Sequence, residues 1–170
     1  MKSKLVKDMK EAIRLSGLKD GMTVSFHHHL RNGDMVAVMV MEAVREMGIR
    51  DLTVNISSIF DTHEPFIEYI EEAVITGIET DYIGGSVGRA ISEGILKKPV
   101  IFRTHGGRPS DIISGKSPID VAFIAAPTSD PMGNCTGKLG KSACGSLGYA
   151  FADAMYASTS VVITDNLVDY

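Results

Sequence analysis

The sequence predicts an α/β protein built on a mostly parallel, open sheet with helices on both faces. Short β-branched runs alternate with segments of helical period along the whole chain. Glycine, proline or serine marks most changes of element, and two successive strands separated by a helix are joined in parallel by a right-handed crossover.

Each element follows from its own residues. Leu5, Met9, Ala12, Ile13 and Leu15 repeat near 3.6 residues, so Lys4 to Leu15 reads as an amphipathic helix stopped by Ser16-Gly17. "GMTVSF" (21–26) is a short buried strand. Asp34 is placed to cap an apolar helix running to Met47 and ended by Gly48, and "DLTVNIS" (51–57) supplies the second strand. The rhythm continues with a helix from Glu64 to Ala73, a strand from Val74 to Thr80, a helix from Ser86 to Leu96 and a strand from Pro99 to Arg103. A short helical segment near Asp111 precedes a strand from Ile119 to Ala125; a helix over Ser146–Tyr156 and a strand over Ser160–Thr164 complete the chain. About six strands result, and 170 residues suit one domain, 1–170.

Composition narrows the function. The net charge is −4 and no Lys/Arg cluster is dense, which argues against nucleic acid as a partner. The longest apolar runs are too short to span a bilayer and the N-terminus is charged, so a cytoplasmic location is expected and no membrane partner. Cys135 and Cys144 lack a CxxC spacing and read as reduced thiols near a loop.

In a doubly wound sheet, ligands bind outside the carboxyl ends of the strands. The loop after the first strand there holds His27, His28, His29, Arg31, Asn32 and Gly33 before the helix opening at Asp34. A helix N-terminus and a guanidinium favour a carboxylate or phosphate. Adjacent histidines in an extended segment face opposite sides, so the triple histidine is not read as one metal's ligand set, and no metal is assigned. "SSIFDTHEP" (57–65) brings His63 to the same end, and "RTHGGRPSD" (103–111) brings His105, Gly106, Gly107 and Arg108. The two glycines would allow positive φ and close approach, and Arg108 would offer a permanent cation. A long glycine-rich segment after Ala126 leads to Gly145 and Ser146, expected to open the last helix as a second anion or oxyanion site. Ser146, His105 and Asp130 make a triad on paper only, without the GxSxG elbow.

Taken together, "GMTVSFHHHLRNGD", "THEPFIEYI", "VITGIET", "HGGRPSDI", "IDVAFIAAPTSDPMGNCTGK" and "GKSACGSLGYAFADA" resemble, in order and spacing, the N-terminal part of citrate lyase alpha chains, also called citrate CoA-transferases. The resemblance implies a NagB/RpiA/CoA-transferase-like fold. It also implies a transferase that exchanges acetyl for citrate on a thioester, carried by acyl carrier protein with its phosphoribosyl-dephospho-CoA group, or by CoA. Citrate, the carrier protein, lyase subunits and further copies of the chain are the implied partners, with no cofactor bound by the chain itself. The family's second domain, and with it the nucleophilic glutamate, would lie outside these residues, so no catalytic residue is assigned. A non-catalytic carboxylate-binding or assembly module and a sugar-phosphate isomerase of the same fold are the alternatives.

Overall fold

The computed structural model describes residues 3–27 and 35–169. Its centre is a six-stranded sheet with every pairing parallel, formed by β1 (Thr23–Phe26), β2 (Leu52–Ile56), β3 (Ile75–Thr80), β4 (Ile101–Phe102), β5 (Val121–Ala125) and β8 (Thr159–Ile163). The order across the sheet is β4-β3-β2-β1-β5-β8. The chain therefore steps outward from β1 to β4, returns to the other side of β1 at β5, and steps outward again.

That reversal sorts the helices. α1 (Met9–Ser16), α2 (Val36–Glu46), α3 (Phe66–Glu71) and α4 (Gly85–Ser92) lie on one face, and α5 (Gly107–Ile113) and α6 (Ala150–Tyr156) on the other. The first face holds the main core, where Val24, Phe26, Val54, Ile56, Ile78 and Phe123 pack under Val40, Met41 and Val44 of α2. Phe26 and Phe123 are register partners on adjacent strands and stack at 5.7 Å between ring centres. A smaller apolar cluster, with Ile112, Ile119, Ala122, Ile124, Ala150 and Ala152, holds α5 and α6 to the second face.

The helices are shorter than their apolar periods suggest. α1 starts at Met9 because the Asp8 carboxylate accepts the Glu11 N–H at 2.8 Å, a cap that the sequence reading passes over. α4 stops at Ser92, before Gly94 takes a φ of 95°. α2 begins at Val36 after Met35 in the left-handed region, and the expected Asp34 cap lies outside the described residues. The long segment after β5 contains structure of its own, an antiparallel pair β6 (Thr128–Ser129) and β7 (Cys135–Thr136). Among the described residues, no helix is long and apolar enough to cross a membrane.

Candidate functional site

The reversal of strand order puts a crevice between the carboxyl ends of β1 and β5, the place where open α/β sheets bind ligands. β1 delivers His27 there, 3 % exposed. The rest of the expected loop, His28, His29, Arg31, Asn32 and Gly33, lies outside the described residues.

Beneath the crevice runs a buried polar row that the sequence reading missed. Ser25, Asn55 and Glu79 are register partners on β1, β2 and β3 and share the face covered by α5 and α6. Apart from threonines, each is the polar residue in an otherwise apolar strand ("TVSF", "LTVNI", "ITGIET"), which is the signal that could have revealed the row. Arg108, 1 % exposed, ties it together. Its Nε donates to Asn55 Oδ1 at 2.7 Å, Nη1 to Asp153 Oδ2 at 3.1 Å, and Nη2 to Ser25 Oγ at 2.8 Å and Asp153 Oδ1 at 2.8 Å. Ser25 Oγ–H also donates to the Asp153 carboxylate. Toward the sheet edge, Glu79 Oε2 accepts from Arg103 Nη1 at 2.7 Å and from Asn55 Nδ2 at 3.1 Å, while Asp111 accepts from Arg103 Nε at 2.9 Å.

This corrects the sequence expectation for Arg108. It is not an open cation of a ligand loop, because its guanidinium is engaged inside the protein. Nη2 also donates to the Phe26 carbonyl at 3.3 Å, at the last residue of β1, so Arg108 supports the base of the histidine loop from below.

The other expected residues fall in distinct places. Gly106 and Gly107 open α5 without using positive φ; Gly106 has φ −79°. Gly107 N–H donates to Thr104 Oγ1 at 3.0 Å, and a Cβ at Gly107 would stand 2.9 Å from that oxygen, so close approach is what glycine supplies. His63 ends a 3-10 turn, Asp61–His63, after β2 and is 3 % exposed. Its Nδ1 accepts the Phe60 N–H at 3.1 Å and its ring lies 5.3 Å from Phe66, which leaves the ring proton on Nε2. Gly145 and Ser146 are exposed and precede α6 by a turn rather than opening it, since the helix begins at Ala150. Ser146 Oγ accepts the Gly148 N–H at 3.3 Å.

His105 stands apart from this interior. Its side chain is 73 % exposed, Nδ1 lies 3.0 Å from Asp81 Oδ2, and its ring meets Tyr149 edge-on at 5.8 Å. Asp81 follows β3, and burial pushes its carboxyl above the usual range, against the opposing pull of His105, Arg108 and Arg103. Burial also raises Tyr149, with Asp81 adding to the effect. Beside them, after β2 and β3, opens a cleft of about 340 Å³ lined by Phe60, Asp61, Thr62, Tyr82, Gly84 and Gly85. Burial likewise raises the Cys135 and Cys144 thiols, both free, which keeps them from acting as ready thiolates. No group of three His, Cys, Asp or Glu side chains among the described residues is arranged to hold a metal ion.

Residues 2–170 match the family described as "Citrate lyase, alpha subunit (CitF)". The chain belongs to this family. Citrate lyase alpha chains from Haemophilus influenzae and Klebsiella pneumoniae are each 48 % identical to it over 167 residues, and that of Escherichia coli K12 is 47 % identical. Those alignments take in 98 % of this chain and 33 % of each relative, so the chain spans about a third of their length. A crystal structure from Streptococcus mutans, described as an alpha subunit of citrate lyase in complex with citrate, superposes with a TM-score of 0.97 at 50 % identity. It takes in 99 % of this chain and 33 % of that one. A malonate decarboxylase alpha subunit from Acinetobacter baumannii shares the fold, with a TM-score of 0.65 at 16 % identity over 96 % of this chain and 29 % of that one. The parallel α/β architecture expected from the CitF family is therefore the one the chain adopts.

Proposed function

We propose that this chain is the citrate-binding, N-terminal domain of a citrate:thioester transferase, with residues 1–170 forming one CoA-transferase-like unit. The observation that carries the reading is the near-superposition on a subunit solved with citrate, over the whole of this chain. In the exchange, a citrate carboxylate takes the place of acetate on the thioester. Citrate and acetyl thioester enter, and citryl thioester and acetate leave, so no redox partner is needed. Acyl carrier protein bearing a phosphoribosyl-dephospho-CoA arm, or free CoA, supplies the sulfur. The acylated glutamate belongs to the part of the relatives that this chain does not span. The full assembly is a cytoplasmic citrate lyase complex with several copies of the chain.

The arrangement suits that role. His27 stands at the strand-order reversal, and of the residues that follow it in sequence His28 or His29, with Arg31 and Asn32, is proposed to bind carboxylates and the thioester oxyanion. Arg108 holds the base of that loop through the Phe26 carbonyl, and His105 joins the ligand from β4's end.

The test is to mix the 170-residue chain with acetyl-CoA and citrate, with and without a separately produced fragment carrying the remainder of a relative, and to assay citryl-CoA. Turnover restored by the fragment supports the reading. Citrate binding that never leads to turnover would make the chain a carboxylate-binding module, and binding of a pentose or hexosamine phosphate instead of citrate would favour an isomerase. Arg31→Ala is expected to weaken citrate binding about 10- to 100-fold, the scale of a lost charge-assisted pair, while leaving carrier-protein affinity nearly unchanged. Equal losses for both ligands would count against a citrate contact.

A further inference from the structure

Asp81 poses a problem that the fold does not answer. Its side chain is 1 % exposed, and among the described residues neither carboxylate oxygen has an aligned hydrogen-bond donor. An isolated buried carboxylate is costly, and stability alone would favour a neutral residue in its place. Its backbone is anchored, with N–H donating to the Ser57 carbonyl at 3.2 Å, so the side chain is held in place. What it meets is the Nδ1 edge of His105, 3.0 Å away on a ring that is otherwise open to solvent.

We infer that Asp81 is the positioning residue of His105, and that the pair forms a carboxylate-binding element at the ends of β3 and β4. The Nδ1 edge faces the Asp81 carboxylate at 3.0 Å, a contact that orients the ring and favours the tautomer with its proton on Nδ1. Nε2, across the ring, is then the atom offered to a ligand. Tyr149, edge-on to the ring, limits its rotation. The charged and titratable groups facing Asp81 are His105 and Arg103 from the segment after β4, Arg108 from α5 and Tyr149 before α6. Arg103 and Arg108 are committed to the buried row by hydrogen bonds to Glu79, Asp111, Asn55 and Asp153, which leaves His105 as the exposed partner of Asp81. Protonated His105 donates Nε2–H to a substrate carboxylate or, in the exchange step, to the thioester oxygen as charge gathers there.

This inference rests on the citrate reading, and the test separates the two. Citrate affinity of the full chain is measured by calorimetry between about pH 5 and 8, the range in which a histidine changes charge. It is measured for the unaltered chain, Asp81→Asn, Asp81→Ala, His105→Gln and the double variant Asp81→Asn/His105→Gln. Nitrogen-15 NMR of His105 reports its tautomer without citrate. Expected are weaker citrate binding as pH rises in the unaltered chain, a flattened profile and roughly 10-fold weaker binding in His105→Gln, and a several-fold loss in each Asp81 variant. The double variant should bind no worse than His105→Gln, since a positioning residue has nothing left to position. In NMR, the neutral ring carries its proton on Nδ1 in the unaltered chain and loses that preference in Asp81→Ala. Additive losses, or an unchanged tautomer in Asp81→Ala, would overturn the inference while leaving citrate binding intact. No citrate binding by any variant, together with an Asp81-dependent tautomer, would sink the citrate reading and keep the pair.

Discussion

A single carboxylate shows how function departs from stability here. Burial raises the Asp81 carboxyl, the nearby His105, Arg108 and Arg103 offsetting only part of that effect. A carboxyl raised in the folded state favours folding when protonated, below its unfolded value, and that contribution is lost as pH rises through the folded value. At neutral pH ionised Asp81 therefore lowers stability. Asp81→Asn keeps the shape and removes the charge, so it should raise the melting temperature near pH 7. A gain of a few degrees is expected, on the scale of about 2–4 °C per kcal/mol for a chain of this size. The gain should vanish below about pH 3, under the unfolded aspartate value, where the carboxyl is protonated in both states. Scanning calorimetry at the two pH values decides it, and a loss of stability at neutral pH would mean that Asp81 has a structural partner.

At the scale of elements, the strands were legible and the boundaries less so. Alternation of apolar runs placed all six strands of the sheet; the inner ones, covered on both faces, must be apolar nearly throughout. Helix ends depend on single hydrogen bonds, such as the Asp8 cap, that periodicity does not contain. The segment after β5 was the least legible, since its order comes from cross-loop contacts rather than from a repeat. Asp130 gathers Met132 N–H at 2.8 Å, Asn134 N–H at 3.0 Å and Asn134 Nδ2 at 2.8 Å, shaping the turn between β6 and β7. Further on, the Gly137 carbonyl accepts the N–H groups of Cys144 and Gly145 at 2.9 and 3.0 Å. A Cβ at Gly137 would stand 2.1 Å from the Gly145 carbonyl oxygen, a contact that only a backbone shift relieves. Gly137→Ala should therefore open this link locally, at a cost of about 1–3 kcal/mol. Amide exchange at Cys144 and Gly145 should quicken 10-fold or more while the β5 amides keep their protection. Unchanged protection at both would show that the segment is held elsewhere.

Across the whole molecule, the candidate site stands on a polar layer between the sheet and α5–α6, and that layer explains why the site was only partly legible. The sequence marks which loops reach the carboxyl ends of the strands. It does not show that Arg108, directly after an exposed-looking Gly-Gly, turns inward to meet an aspartate 45 residues later. Removing one member should expose the cost of the layer. Arg108→Met leaves the Asp153 carboxylate, 1 % exposed, without its cation, and a broken buried pair costs about 3–5 kcal/mol. Against a total of about 5–15 kcal/mol for a domain, that brings the chain close to unfolding. Arg108→Met with Asp153→Leu removes both charges and should recover at least about 1 kcal/mol of the single loss, the size of coupling expected for residues in contact. Urea unfolding of the two single variants and the double measures this directly, and a single loss below about 1 kcal/mol would mean that water reaches the pair. Stability and binding should then part company. The double variant folds better than Arg108→Met, yet it still lacks the donor to the Phe26 carbonyl at the base of the histidine loop, so its citrate affinity should stay as low as that of the single variant.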